Sequence, residues 1–270
     1  MSENSNDMPF LGHLEEMRSR IMKSVIAIGS VAILVFIGKD WFVEELVFGP
    51  TKEDFATFKF WCSMSHRLGM GDKLCVDEIK YSLQSTTMSG AFMAHLLVSI
   101  IGGIVIAFPF VFHQIWQFVK PGLRKNEASA VRGITAYTSL LFFTGVLFGY
   151  YVILPLSLQF LGGYEFGDVK VDSNIGSYMK LFASICLATG LIFQLPILVY
   201  FLSKLGLVTP QILRKYRKHA LVVVLILAAI ITPPDLTSQI LVAIPVMILY
   251  ELSIFVSRRT IKKAMEAEEQ

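Results

Sequence analysis

Residues 88–112 read MSGAFMAHLLVSIIGGIVIAFPFVF, and this stretch decides the fold class. It contains no Asp, Glu, Lys or Arg, and the charge-free run extends from Tyr81 to Val119. A helix of that core rises about 1.5 Å per residue, so it is long enough to cross a hydrocarbon layer of roughly 30 Å. Other apolar runs lie on both sides of it. Ser24–Gly38, extended by Ile21 and Met22, precedes it, with Lys23 placed to snorkel. Gly133–Leu154 follows and is expected to stop at Pro155, and Leu181–Ser203 comes next with Pro196 inside it. The last two runs, Ala220–Ile231 and Leu236–Tyr250, are short and are separated by Thr232-Pro233-Pro234-Asp235. The prolines break the first of them, and Asp235 is suited to N-cap the second.

The expectation is an all-α integral membrane protein with six transmembrane helices over residues 21–257. The spans fall at about 21–38, 88–112, 133–154, 181–203, 220–231 and 236–250. The last two helices are short, which points to local bilayer thinning beside them. A single buried or re-entrant segment is the alternative for that final pair. Composition agrees with the membrane reading. Of 270 residues, 54% are hydrophobic and 17% charged, against about 25% charged in soluble domains. Mean hydropathy is +0.60.

Orientation follows from the Lys/Arg bias. With the N-terminus inside, the inner segments collect 16 of the 24 basic residues, while the outer loops hold 12 of the 21 acids. Six spans then place both ends in the cytoplasm, with residues 258–270 as an inner tail. Residues 1–20 carry Glu3, Asp7, Glu15 and Glu16 and no apolar h-region, so they do not read as a cleavable signal peptide. Phe10, Leu11, Leu14, Met17 and Ile21 recur at helical spacing, which predicts an amphipathic surface helix before the first span. His113-Gln114-Ile115-Trp116-Gln117-Phe118 reads as an aromatic-rich interfacial turn ended by Pro121-Gly122.

The first outer loop, residues 39–87, is too long for a plain connector. It contains Cys62 and Cys75, the only cysteines expected on that side. In an oxidising compartment they make a disulfide or remain two free thiols. Cys186 lies mid-span and reads as packing. No GxxxxGK[ST] or GxGxxG motif indicates a nucleotide, and no basic face with interleaved aromatics indicates nucleic acid. His95 and His113 have no second ligand at metal spacing, so no metal or other cofactor is expected.

The ordered set of local motifs resembles one family, TatC, the multispanning subunit of the twin-arginine protein translocase. It runs from His13-Leu14-Glu15-Glu16-Met17-Arg18 through Gln114-Ile115-Trp116-Gln117-Phe118-Val119-Lys120-Pro121-Gly122-Leu123 and Glu127. It continues with Pro155-Leu156, Phe193-Gln194-Leu195-Pro196 and Leu207-Val208-Thr209-Pro210. It ends with Thr232-Pro233-Pro234-Asp235, Ser238-Gln239 and Ala243-Ile244-Pro245, so it covers about residues 8–258. The resemblance implies a non-enzymatic receptor in the bacterial inner membrane. Such a protein binds twin-arginine signal peptides of folded precursors at the cytoplasmic face. It works in an oligomeric complex with small single-span subunits of the TatA/TatB type and draws on the proton-motive force.

The same resemblance selects residues. Glu16 and Glu127 are implied to hold the paired arginines, whose planar forks suit carboxylates. Helix-dipole complementarity, or pairing with Arg18 or Arg124, is the structural alternative for these acids. Phe118, Pro121 and Leu123 are implied to shape the groove for the signal peptide, and Arg18 either orients Glu16 or marks the inner face. Gln194, Thr232 and Gln239 are implied to dock partner helices. Gln194 stands where some family members have Glu, which removes any ionisable role there; a bond to backbone freed by Pro196 is the alternative. Pro50 resembles a structural proline of the outer loop. The competing function is a secondary transporter of a small solute. Against it stand the absence of an evident inverted repeat and a single polar mid-span residue, Gln194.

Overall fold

The computed structural model describes residues 10–67, 69, 71–74, 83–119, 131–163, 173–231 and 236–268. The helices in chain order are α1 Phe10–Ile37, α2 Lys39–Trp41, α3 Ala56–Arg67, α4 Gly90–Val119, α5 Val131–Phe148 and α6 Leu154–Gly163. They continue with α7 Ile175–Ile192, α8 Leu195–Lys204, α9 Pro210–Lys215, α10 Arg217–Ile231 and α11 Leu236–Glu268. Two-residue strands, β1 Leu83–Gln84 and β2 Ser173–Asn174, pair in parallel. Among the described residues, five helical stretches are long and apolar enough to cross a membrane: Leu14–Ile37, Gly90–Phe118, Gly133–Gly163, Ile175–Lys204 and Gln239–Lys262. The apolar side chains turn outward as well as inward. Leu34 is 68% exposed and Ile230 is 75% exposed, as expected where lipid rather than water is the solvent.

Several expected boundaries move. The N-terminal amphipathic stretch is not a separate surface helix, because α1 runs unbroken from Phe10 through the first span. Leu14–Lys23 contains neither Pro nor Gly, and its Leu, Glu, Met and Arg residues favour the helix, so nothing bends the chain there. His113–Phe118 is likewise not a turn, since α4 continues to Val119. The third span does not stop at Pro155. A π-type turn over Gly149–Ile153 widens the helix just before the proline, and α6 carries on to Gly163. The wider turn absorbs the ring clash and the lost N–H that would break a regular helix.

The final pair is only half as expected. Helix α10 is short, 15 residues, or roughly 22 Å. Helix α11 is 33 residues long, so it is not a short helix. Pro245 is accommodated inside it, and Glu251, the residue just past the expected span of 236–250, is paired across to Arg217 at 2.6 Å. The residues Thr232 and Asp235 lie outside the described residues.

The chain divides into two compact units, one of residues up to Lys39 with His95–Leu140, the other of Asp40–Ala94 with Leu141 onward. In the first, α1 approaches α4 closely at Gly103, where an added Cβ would lie 2.8 Å from the Ile28 carbonyl and 2.9 Å from the Ala32 side chain. Phe36 of α1 stacks on His95 of α4 with ring centroids 4.1 Å apart.

In the second unit, α5 meets α7 through glycines. A Cβ at Gly145 would lie 2.6 Å from the Thr189 carbonyl, and one at Gly190 would lie 2.7 Å from the Phe142 ring. Small residues let the backbones touch where lipid offers no hydrophobic drive to associate. The long loop after α1 is folded onto this unit. Tyr150 Oη donates to the Leu46 carbonyl at 2.7 Å, Tyr178 Oη donates to the Val47 carbonyl, and Thr57 Oγ1 donates to the Tyr151 carbonyl at 2.5 Å. Pro50 is buried in the 3-10 turn Gly49–Thr51, and Phe55 stacks on Tyr151 at 5.6 Å. Asn174 accepts from the Gly176 N–H at 2.7 Å, capping α7, and its amide donates to Thr86 Oγ1 at 2.5 Å. Cys62 is disulfide-bonded, Cys186 is a free buried thiol, and Cys75 lies outside the described residues.

Candidate functional site

The N-terminal turns of α1 and the last turns of α4 share a polar cluster in the first unit. Its centre is Arg20, an i,i+4 partner of Glu16 on the same helix face. Arg20 Nη2 and Nε both reach Glu16 Oε1, at 2.8 and 3.2 Å. Arg20 Nη1 donates across to Gln114 Oε1 at 3.1 Å and to Gln117 Oε1. Gln117 Nε2 lies 2.6 Å from His113 Nε2. With the amide nitrogen turned to the imidazole, the amide oxygen of Gln117 is left for the guanidinium. The side chains of Arg20 and Glu16 are each 22% exposed, so the pair is partly withdrawn from water but within reach of it. Gln114 is buried.

The geometry explains why these residue types sit at this spacing. His113, Gln114 and Gln117 fall on one turn of α4, and positions three and four apart share a helix face. Helix α1 presents Glu16 and Arg20 by the same rule. A guanidinium has five N–H donors in a rigid fork, and four are used here, two on Glu16 and one on each glutamine.

The structure therefore places Glu16 against Arg20, not Arg18. Arg18 is exposed, and Phe118 is half-buried at the end of the same α4 face region. Pro121, Leu123 and Glu127 lie outside the described residues, so only Glu16, Arg18 and Phe118 of the expected peptide-binding set are described. Arg20, Gln114 and Gln117 are site residues that the sequence pattern does not single out. The Glu16–Arg20 spacing is the one signal that points to the first of them.

In the second unit, Gln194 occupies the turn between α7 and α8, where its Nε2 donates to the Gly190 carbonyl at 3.4 Å. Gln239, in the second turn of α11, donates to the Leu225 carbonyl of α10 at 3.0 Å. Both residues expected to dock partner helices thus also bind main-chain oxygen of their own unit. Thr232, the third of them, is outside the described residues. Ser203 of α8 and Ser257 of α11 are buried and hydrogen-bonded to each other at 2.7 Å, a polar clasp that was not anticipated.

Comparison with known proteins bears on this arrangement. The family described as Sec-independent protein translocase protein (TatC) matches residues 12–245. A relative of that name from Blattabacterium sp. subsp. Periplaneta americana is 36% identical, over 97% of this chain and all of its own length. One from Helicobacter pylori strain 26695 is 34% identical, over 91% of this chain and 86% of its own. Among solved structures, a crystal structure of the twin-arginine translocase receptor TatC matches with a TM-score of 0.66 and 28% identity, covering 92% of this chain and 99% of that one. A second, in DDM, matches with a TM-score of 0.71 and 30% identity, covering 91% and 99%.

Proposed function

Because the chain belongs to the TatC family of Sec-independent protein translocase proteins, we propose that it is the signal-peptide receptor of a twin-arginine translocase. Membership itself makes it a multi-pass inner-membrane component of protein translocation and not an enzyme. In this proposal the chain crosses the membrane six times with both ends in the cytoplasm, α10 forming the short fifth span. Twin-arginine peptides of folded precursors meet Glu16 and Glu127 at that face, with Arg18, Phe118, Pro121 and Leu123 around them. Small single-span subunits of the TatA/TatB type join through the polar positions Gln194, Thr232 and Gln239, and the proton-motive force drives transport of the precursor.

One observation carries this reading: the α1–α4 cluster surrounds a guanidinium with a carboxylate and two amide oxygens, which is the chemistry a peptide arginine needs. Phe118 follows Gln114 by one turn on α4, at i,i+4, where an apolar position of the peptide would follow. The test is a photocrosslinker carried by a twin-arginine peptide added to membranes that hold the protein with Glu127 intact. Adducts should form, should fall when the peptide arginines become lysines, and should be lost in Glu16→Ala. Equal labelling by both peptides would overturn the receptor role. Reporter fusions at Gly71 and Gln270 test orientation, and a cytoplasmic signal at Gly71 would reverse it.

A further inference from the structure

We infer that Glu16, Gln114 and Gln117 form a guanidinium-binding cradle that the chain's own Arg20 fills, and that a ligand arginine enters it by displacing Arg20. The displacement step rests on the receptor reading above; the cradle does not. Three features support it. First, the cradle reads a fork rather than a charge. Four donors of one guanidinium meet three side chains from two helices, and Arg20 Nη1 alone bridges Gln114 and Gln117. A lysine ammonium is a point donor on a flexible stem and does not match acceptors spread along both edges of a planar fork.

Second, one acceptor is oriented without Arg20, and another is confined by burial. Gln117 is held by His113 at 2.6 Å, and Gln114 is buried in the α4 wall. Withdrawal of Arg20 would leave one held amide oxygen, a buried second amide and a carboxylate, a site for another guanidinium. Third, the occupant is able to leave. Arg20 is partly exposed, its strongest contact is a same-helix pair of a type worth little in water, and its long side chain has other rotamers. Glu16 would cost far more to desolvate unpaired than to exchange one arginine for another. Self-occupancy thus keeps the carboxylate compensated at rest. It also sets a threshold, because a ligand must offer a guanidinium to replace one.

The test has two independent readouts on the full-length protein in detergent. Arg20→Ala empties the cradle while keeping the helix. Added methylguanidinium should then raise the unfolding temperature of this variant above its value in methylammonium at equal concentration, with wild type showing no such difference. No difference in the variant would overturn the cradle. The second readout is affinity for a twin-arginine peptide in Arg20→Lys, which conserves charge but competes poorly for the amide oxygens. Binding should tighten about ten- to hundredfold, the scale of one hydrogen bond to a charged group. Unchanged or weaker binding would overturn displacement and make Arg20 a positioning residue. If wild type binds arginine and lysine peptides alike, the receptor reading and the displacement step fail together, while the methylguanidinium result still decides the cradle.

Discussion

Gly145→Ala should destabilise the protein although alanine is the better helix former. The substitution gains up to about 1 kcal/mol in helix propensity. Against that, the new Cβ would lie 2.6 Å from the Thr189 carbonyl oxygen and 2.8 Å from the Phe193 side chain. Ordinary carbon–oxygen contact begins above about 3.3 Å. Helices α5 and α7 must therefore separate by more than half an ångström, or bend, along a contact that also includes Gly149 and Gly190. Overpacking of this kind costs about 1–3 kcal/mol. The carbonyl in the way belongs to main chain and has no rotamer to escape by, which favours the upper half of that range. A net loss of about 1–2 kcal/mol corresponds to a fall in Tm of roughly 2–8 °C for a chain of this size.

The assay is built into the fold. Cys186 is a free, buried thiol on α7 one turn from Thr189, so a thiol-reactive fluorophore reports opening of this contact on heating. Gly163→Ala is the control, because nothing lies within 4 Å of an added Cβ there, and its Tm should stay near that of wild type. A Gly145→Ala protein as stable as Gly163→Ala would refute the close-contact argument.

Other substitutions test the remaining contacts. Tyr178→Phe deletes the donor to the Val47 carbonyl and should cost about 1–3 kcal/mol, because that buried oxygen loses its partner. Limited proteolysis within residues 39–67 should accelerate accordingly, and an unchanged rate would show that the loop is held by packing alone. Arg217→Ala should cost only about 0.2–1 kcal/mol despite the 2.6 Å contact with Glu251, since both side chains are about half exposed, at 47% and 48%. A charge-reversed pair should recover that loss in a thermal-unfolding assay, and recovery far above this range would place the pair in a drier environment. The separate costs of Ser203→Ala and Ser257→Ala should sum to more than the cost of the double replacement, by a coupling of about 0.6 kcal/mol in a double-mutant cycle. Strict additivity would show that the hydroxyl pair contributes nothing beyond its two separate side chains.

The sequence announced the spans better than their ends. Residues 88–112 were legible because a run of bilayer length without a single charge is the mark of a segment that lipid solvates. The far end of α4 was not, because His113–Phe118 mixes amide, imidazole and aromatic groups whose helical face becomes visible only when Arg20 stands opposite. Pro155 misled for a related reason. Its cost is local, and a π-type turn before it relieves that cost without leaving any pattern in the residues. The length of α11 is hidden because its apolar run ends at Tyr250, while the helix continues through Glu251, which pairs with Arg217. The hydroxyls of Tyr150 and Tyr178 left no trace at all, since their partners are backbone carbonyls more than a hundred residues away.

The candidate site shows the same division more sharply. A count of charges treats Arg18, Arg20 and Lys23 as equivalent, and by that count they only report which side of the membrane they occupy. Geometry separates them. Arg18 and Lys23 are exposed, whereas Arg20 is drawn into a site with carboxylate and amide acceptors. The spacing of Glu16 and Arg20 was visible, but an i,i+4 pair is common and by itself decides nothing. What gives it meaning is the second helix, whose Gln114 and Gln117 turn an i,i+4 pair into a guanidinium bonded to three side chains. In the proposed receptor, a residue that neutralises Glu16 at rest also fixes what is able to replace it, so selectivity for arginine over lysine is set by Gln114 and Gln117 as much as by Glu16.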